Sequence, residues 1–251
     1  MVNVKAFIPG KKFPDISITG TSCPLNCAYC EAYYLHGMEP APTPKKLYDT
    51  VRYLVKRGAK GVLISGGFDL QGKLPIEPFL PTIKDIKRDF DIVVSIHQGL
   101  VDKDLALKLR EAEILEEFGP YFIAPHIPLG FNYGRILHEY KVIDILTDFD
   151  PYILVFLVFI PTKGTRMSDS PIPDPKDVIK IISYARRKFK KTLALGCMRP
   201  WKIKYLVDPY LIEKSIVDRI TNPPKSIIKK YNLKVIEACC SVPKELLHKF
   251  I

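Results

Sequence analysis

The sequence of 251 residues lacks the features that several protein classes require. Its six cysteines are too few for a disulfide scaffold in a chain of this length. No apolar stretch of secretory length stands at the N-terminus. The most apolar run, residues 152–160, has about half the length of a bilayer-spanning helix. We therefore expect a cytoplasmic protein without a membrane segment, whose cysteines are metal ligands, catalytic groups or core side chains.

Acidic residues are scarce relative to basic ones. Lys and Arg number 38 against 27 Asp and Glu, which gives a formal net charge of +11. This balance suits nucleic acid, an anionic membrane surface or an acidic protein partner, and it does not choose among them. With 47% hydrophobic and 26% charged residues, the composition is that of a folded globular chain and excludes disordered and collagen-like classes.

Short runs rich in β-branched residues alternate with longer amphipathic stretches. The runs predict strands at residues 16–20, 61–65, 92–97, 122–127, 153–160 and 192–195. The stretches between them predict helices at residues 44–57, 76–88, 103–113, 136–147 and 176–190. Repeated strand–helix units indicate an α/β fold with a parallel sheet, either open or wound into a barrel.

Residues suited to chemistry fall at or near the ends of the predicted strands, where a parallel barrel places its active site. They are Cys23, Gly66-Gly67, His97 with Gln98, His126 and Gly196-Cys197. A single such residue would mean little. Five strands that carry them suggest one shared site.

The first cysteines form a loop directly after the first predicted strand. Cys23, Cys27 and Cys30 have the spacing C-x3-C-x2-C. Three thiolates on one short loop can bind one face of an iron–sulfur cluster and leave the fourth iron open to a small molecule. A structural zinc site would need a fourth ligand, usually from a second cysteine pair, and no pair stands at the usual distance.

This loop resembles the signature of the radical S-adenosylmethionine superfamily, in which an aromatic residue precedes the last cysteine, as Tyr29 does here. The resemblance implies that Cys23, Cys27 and Cys30 hold a [4Fe–4S] cluster and that Tyr29 packs near the adenine of S-adenosylmethionine. It also implies a parallel (βα) partial barrel. The chemistry implied is cleavage of S-adenosylmethionine to a 5′-deoxyadenosyl radical, which abstracts a substrate hydrogen.

The segment after the second predicted strand supports this resemblance. Gly66-Gly67-Phe68-Asp69 is similar to the family's Gly-Gly-Glu segment, where backbone groups bind the methionine amino group of the cofactor. Phe68 stands where an acidic residue is common, and Asp69 follows it. The resemblance implies cofactor contacts for Gly66, Gly67 and Asp69. His97 is a further candidate for the cofactor site.

Three cysteines remain outside the first loop. Cys197, Cys239 and Cys240 either bind a second [4Fe–4S] cluster that serves as a sulfur donor, or are small buried side chains, or are exposed thiols. Adjacent cysteines point in opposite directions on an extended strand, so Cys239 and Cys240 need a turn to share one cluster. Arg199 either hydrogen-bonds such a cluster or forms a structural ion pair.

The layout from the cysteine loop to the late cysteines is similar to the archaeal two-protein lipoyl synthases. This resemblance implies a sulfurtransferase that inserts sulfur into a carrier-bound octanoyl chain with the help of a sacrificial auxiliary cluster. The partners implied are an acidic octanoyl or lipoyl carrier protein, a second radical S-adenosylmethionine subunit and an electron donor such as ferredoxin. The alternatives are methyl or methylthio transfer to RNA or a small molecule, and a non-enzymatic metal-binding module.

The resemblance also predicts a gap in the fold. Only seven residues separate Glu113 from Tyr121, where a complete family member has a further strand and helix of about 25–30 residues. Either the protein is one βα unit short or the sequence omits a segment. We expect residues 1–200 to form the barrel core and residues 201–251 to form a C-terminal segment that carries Cys239 and Cys240.

Overall fold

The computed structural model describes residues 3–111 and 123–251, except the side chains of residues 110 and 111. The strands are β1 (Lys5–Phe7), β2 (Asp15–Ser17), β3 (Glu39–Pro40), β4 (Gly61–Ser65), β5 (Val93–Ile96), β6 (His126–Leu129), β7 (Ile153–Val158), β8 (Thr192–Leu195), β9 (Arg219–Thr221) and β10 (Lys234–Ile236). The α-helices are α1 (Pro44–Lys56), α2 (Leu80–Asp89), α3 (Lys103–Glu111), α4 (Glu139–Asp148), α5 (Pro175–Lys188), α6 (Trp201–Leu206), α7 (Asp208–Glu213) and α8 (Lys225–Tyr231). Short 3-10 helices lie at Gly10–Lys12, Tyr33–Gly37, Glu77–Phe79 and Lys244–Phe250.

The chain divides into two compact units. One comprises Met1–Ile8 and Tyr121–Pro243, and the other comprises Pro9–Pro120 and Lys244–Ile251. All strand pairs within the two sheets are parallel in the described residues. The expected α/β class with parallel sheets is thus confirmed. The division into residues 1–200 and 201–251 stays a prediction, and the missing βα unit between Glu113 and Tyr121 lies outside the described residues.

The unit of Pro9–Pro120 and Lys244–Ile251 contains a four-stranded sheet in the order β3-β2-β4-β5. Helix α1 illustrates why the sequence pattern predicted the helices of this unit. Thr43 caps its N-terminus by accepting a hydrogen bond from the backbone of Lys46 at 3.2 Å, and Pro44 occupies the first turn. Leu47 and Val51, four residues apart, lie on one face and are fully buried, which stabilises the fold by about 1.5–3 kcal/mol for each side chain.

The unit of Met1–Ile8 and Tyr121–Pro243 contains a six-stranded sheet in the order β10-β1-β9-β8-β7-β6. Strand β7 is buried on both faces along most of its length, as its unbroken apolar sequence predicts. Helix α5 begins at an Asp174 cap that accepts from the backbone of Lys176 at 2.7 Å. Its inner face buries Val178 and Ile182. Among the described residues, no helix combines the length and apolarity needed to span a bilayer.

Three strands of this sheet, β1, β9 and β10, were not predicted from the sequence. Each has three residues, which is too short for an alternating pattern to emerge. Strand β1 lies between β9 and β10, with Phe7 in register with Thr221 and with Ile236. Because all these strands are parallel, the chain segments that follow β8, β9 and β10 leave the sheet at the same edge.

Candidate functional site

The first three cysteines lie on a tightly turned loop that follows β2. The backbone nitrogen of Asn26 donates to Cys23 O at 3.3 Å, and that of Cys30 donates to Cys27 O at 3.0 Å. All three cysteines are free thiols of intermediate exposure. Burial raises the pKa of Tyr29, and the charges of the three neighbouring cysteines raise it further. All three thiols therefore lie close enough to Tyr29 to affect its ionisation. Tyr29 is the residue that the family resemblance places near the adenine of the cofactor.

The Gly-Gly segment lies directly against this loop. A Cβ atom on Gly67 would overlap the carbonyl oxygen of Ser22 and would lie 2.7 Å from Cys23 Cβ. Gly67 N donates a 2.6 Å hydrogen bond to Thr19 Oγ1. A Cβ on Gly66 would lie 3.0 Å from the same Thr19 oxygen. Glycine is needed here for close approach of two backbone segments. Its predicted contact with the cofactor stays a prediction.

The other two predicted cofactor residues also lie at the carboxyl ends of neighbouring strands. Asp69 Oδ1 accepts hydrogen bonds from the backbone of Gln71 and of Lys73, both at 2.9 Å, so this oxygen shapes its own loop. His97 N donates to Ile64 O at 3.0 Å, which extends the pairing of β5 with β4 beyond the last strand residue. The ends of β2, β4 and β5 thus carry all five predicted cofactor residues, whose contacts with a cofactor stay predictions.

The late cysteines also come together, within the unit that contains the six-stranded sheet. The backbone nitrogen of Val242 donates to Cys239 O at 3.1 Å and closes the turn that two adjacent cysteines need. Cys239 Sγ lies 3.1 Å from Ser241 Oγ. A hydrogen bond from Cys240 lowers the pKa of Cys239 and raises that of Cys240. Cys197 is exposed to solvent as a residue, and the packing around its sulfur raises its pKa, followed by the charge of Cys239.

The buried charged side chains of the protein gather beside these cysteines. The described part of the chain buries three cations and one carboxylate, an excess of two positive charges. They are Arg199, Lys204, Arg219 and Asp208. Buried ions are costly unless they are paired, so this excess sets the late cysteine region apart from the rest of the chain.

Two of these cations contact neutral backbone oxygens. Arg219 Nη1 donates to Cys240 O at 2.7 Å and to Val242 O at 2.5 Å, and so braces the cysteine turn. Lys204 Nζ donates to Asn222 O at 2.9 Å. Burial lowers the pKa of Lys204, and the nearby guanidinium of Arg199 lowers it further. Backbone oxygens carry no net charge, so these contacts do not neutralise Arg219 and Lys204. Both positive charges therefore act on the neighbouring cysteines.

Arg199 forms the structural ion pair that was one of its two expected roles. Its Nη2 atom lies 3.0 Å from Asp208 Oδ2 and also donates to Thr221 O at 3.0 Å. Its Nη1 atom donates to Gly196 O. Two atoms of the described chain in this cluster are nevertheless buried without a hydrogen-bond partner, namely Arg199 Nε and Asp208 Oδ1. The Thr221 hydroxyl lies within hydrogen-bonding range of the Cys240 thiol and acts to lower its pKa.

Sequence reasoning missed several of these residues. Thr19, Arg219 and Thr221 stand in no recognisable motif, and the latter two belong to β9, which was not predicted. In the described ranges, no group of three or more His, Cys, Asp or Glu side chains is close enough to count as a ready-made metal site. Both cysteine sets are therefore described by the loops that carry them and by the charged and polar side chains around them.

Comparisons with known proteins bear on the first site and on the fold. The model of a family described as the Radical SAM superfamily matches residues 17–129, a range that includes the cysteine loop, the Gly-Gly segment and His97. No curated protein matches the sequence. Among solved structures, 22 chains match.

One of these solved structures is described as HydG, a maturase of the [FeFe]-hydrogenase. The superposition has a TM-score of 0.60 at 14% sequence identity and covers 94% of this chain. The chain spans 65% of the length of that HydG structure. At this identity the likeness concerns the fold, which agrees with the expected partial barrel of parallel strands.

Proposed function

Since this chain carries a domain of the radical S-adenosylmethionine superfamily in residues 17–129, we propose that it is a radical sulfurtransferase of the lipoyl synthase type. Its substrate is a carrier-bound octanoyl chain, into which it inserts sulfur. An unactivated C–H bond is beyond ordinary acid–base side chains, so a cofactor must supply the reactive species. The protein positions the cofactor, excludes water and holds the sulfur source.

The first cysteine loop fits the cofactor that the superfamily uses. Cys23, Cys27 and Cys30 offer three thiolate ligands on one turn, and the close packing of Gly67 on this loop leaves backbone groups of both segments side by side. When bound, a [4Fe–4S] cluster and S-adenosylmethionine would supply hydrogen-abstracting radical chemistry, with the electron coming from an external donor such as ferredoxin. Tyr29, whose ring is partly buried beside the thiols, is suited to pack against the adenine.

The observation that carries the sulfurtransferase assignment is the buried positive charge beside Cys197, Cys239 and Cys240. An excess of two buried cations favours an anionic occupant, and cysteine ligands contribute negative charge as thiolates. Arg199 Nε, a buried donor without a protein partner, could hydrogen-bond such an occupant. These features support an auxiliary iron–sulfur cluster as the sulfur source.

The test is the iron and acid-labile sulfide content of the chain after anaerobic reconstitution. The wild type should bind about eight irons, and the Cys197→Ala/Cys239→Ala/Cys240→Ala variant about four. The matched control, Cys23→Ala/Cys27→Ala/Cys30→Ala, should also retain about four, because it leaves the late cysteines in place. Both variants should lose formation of the thiolated product from an octanoyl-carrier peptide. About four irons in the wild type and in the late-cysteine variant alike would contradict the proposal.

The second candidate is a radical enzyme of another specificity. The solved structure described above belongs to a hydrogenase maturase, and the +11 charge suits an RNA substrate. This candidate predicts cleavage of S-adenosylmethionine without any thiolated product, together with salt-dependent RNA binding if RNA is the substrate. A non-enzymatic metal-binding module would instead leave S-adenosylmethionine intact.

A further inference from the structure

The hydroxyl group of Thr19 joins the two backbone segments of the first site. Strand β2 pairs with β4 as far as Ile18, whose N–H donates to Ser65 O at 2.9 Å. At the next residue the pairing continues through a side chain, because Thr19 Oγ1 accepts a hydrogen bond from Gly67 N at 2.6 Å. The same hydroxyl donates to Ser22 O at 2.9 Å. One oxygen atom therefore bridges the end of β4 and the residue that precedes Cys23.

The surroundings leave this bridge little freedom. Gly66 and Gly67 are buried. A Cβ atom on Gly67 would overlap the cysteine loop, and one on Gly66 would make a tight contact with Thr19 Oγ1 at 3.0 Å. The Cys23 thiol also approaches Phe68 O at 3.9 Å. Without the hydroxyl, the buried N–H of Gly67 would lose its partner. The start of the cysteine loop would keep only the backbone bond from Ser22 N to Thr19 O at 3.3 Å.

We propose that Thr19 is a positioning residue that keeps the cysteine loop and the Gly66-Gly67 segment in register for S-adenosylmethionine. The inference rests on the proposed function for its ligand. It assigns to a hydroxyl outside every recognised motif the task of holding together the groups that bind the cluster and the groups that bind the cofactor's amino acid part. The methyl group of Thr19 has no part in this role.

The experiment compares Thr19→Val, which keeps the shape and removes the hydroxyl, with Thr19→Ser, which keeps the hydroxyl. Thr147→Val is the matched control, because Thr147 Oγ1 donates to the backbone oxygen of Asp144 at 2.9 Å within α4. Amide hydrogen exchange at Gly67 is measured in the chain without cofactors. Iron content, the dissociation constant of S-adenosylmethionine and its effect on the electron paramagnetic resonance spectrum of the reduced cluster are measured after reconstitution.

We expect Thr19→Val to speed exchange at Gly67 and to weaken S-adenosylmethionine binding by about tenfold, with the iron content retained. Thr19→Ser and Thr147→Val should resemble the wild type in both measurements. Unchanged exchange at Gly67 in Thr19→Val would overturn the inference whatever the protein's reaction is. Equal losses in Thr19→Ser and Thr19→Val would overturn it too. A wild-type chain that binds no S-adenosylmethionine would refute the proposed function and the ligand assigned here, while the exchange measurement would still decide whether Thr19 holds the two segments together.

Discussion

At the scale of single residues, the pair of Arg199 and Asp208 shows how a buried charge shapes this fold. Both side chains are almost completely inaccessible to solvent. Burial raises the pKa of Asp208, and the guanidinium of Arg199 acts against that rise. Arg199, and more weakly Lys204, thus favours the ionised carboxylate against the cost of its burial.

Removing one partner should therefore cost more than removing both. Asp208→Ala should lower the free energy of unfolding by about 3–5 kcal/mol, because it leaves Arg199 buried and uncompensated. The double variant Arg199→Met/Asp208→Leu should lose less than that single variant. Urea unfolding of the three proteins at one pH measures both values. A double variant that loses as much stability as Asp208→Ala, or more, would contradict this coupling.

At the scale of secondary-structure elements, the end of β4 shows how two elements are packed at backbone distance. The Gly67 position receives the turn that leads into Cys23, and no side-chain atom fits between them. Glycine is required at position 67 because the neighbouring segment leaves no room for a side chain. The backbone angle does not require it, since Gly67 is not among the residues with positive φ.

Gly67→Ala tests this packing. The added methyl group would overlap Ser22 and Cys23, so the cysteine loop must move away from β4. We expect the variant to lose about 1–3 kcal/mol of stability and to bind the first cluster poorly, at a cost of about four irons per chain. Gly37→Ala is the control, because a Cβ atom added at Gly37 would have no neighbour within 4 Å. Equal iron contents in the two variants would contradict the packing argument.

The sequence predicted those elements whose pattern is long enough to repeat. Helix α1 was expected from residue 44 onwards and β4 at Gly61–Ser65, and both are found there. The cysteine loop could be assigned because its spacing is chemically specific. Strands β9 and β10 could not, since three residues show no alternation. For the same reason the positions of Arg219 and Thr221 in β9 could not be predicted. Their positions depend on contacts between segments far apart in the chain.

At the scale of the whole molecule, the net charge of +11 is the property most relevant to partners. Exposed basic stretches at residues 186–191 and 225–230 contribute to it. Some of their charges are neutralised by ion pairs, such as that of Lys188 with Asp144 at 2.8 Å. Long-range attraction of an acidic carrier protein would raise its association rate more than its final affinity.

Association with an acidic octanoyl-carrier domain should therefore depend strongly on salt. We expect the association rate constant to fall by roughly tenfold between low and physiological ionic strength, while the dissociation rate constant changes less. Stopped-flow fluorescence measures both. A carrier domain whose surface carboxylates are replaced by amides is the control and should show little salt dependence. A rate that is independent of salt for the acidic carrier would exclude it as an electrostatically guided partner.

The position of β1 between β9 and β10 has a consequence for the order of events during protein synthesis. Residues 5–7 are made more than 200 residues before their sheet partners at residues 219–221 and 234–236. Contacts over such sequence distances form late and slowly. The turn with Cys239 and Cys240 follows β10 directly, so Arg219 can brace it only once all of these residues have been made. Any metal that this turn binds is therefore acquired after residue 240 has been made, whereas the first cysteine loop packs against Gly67, which is made soon after it.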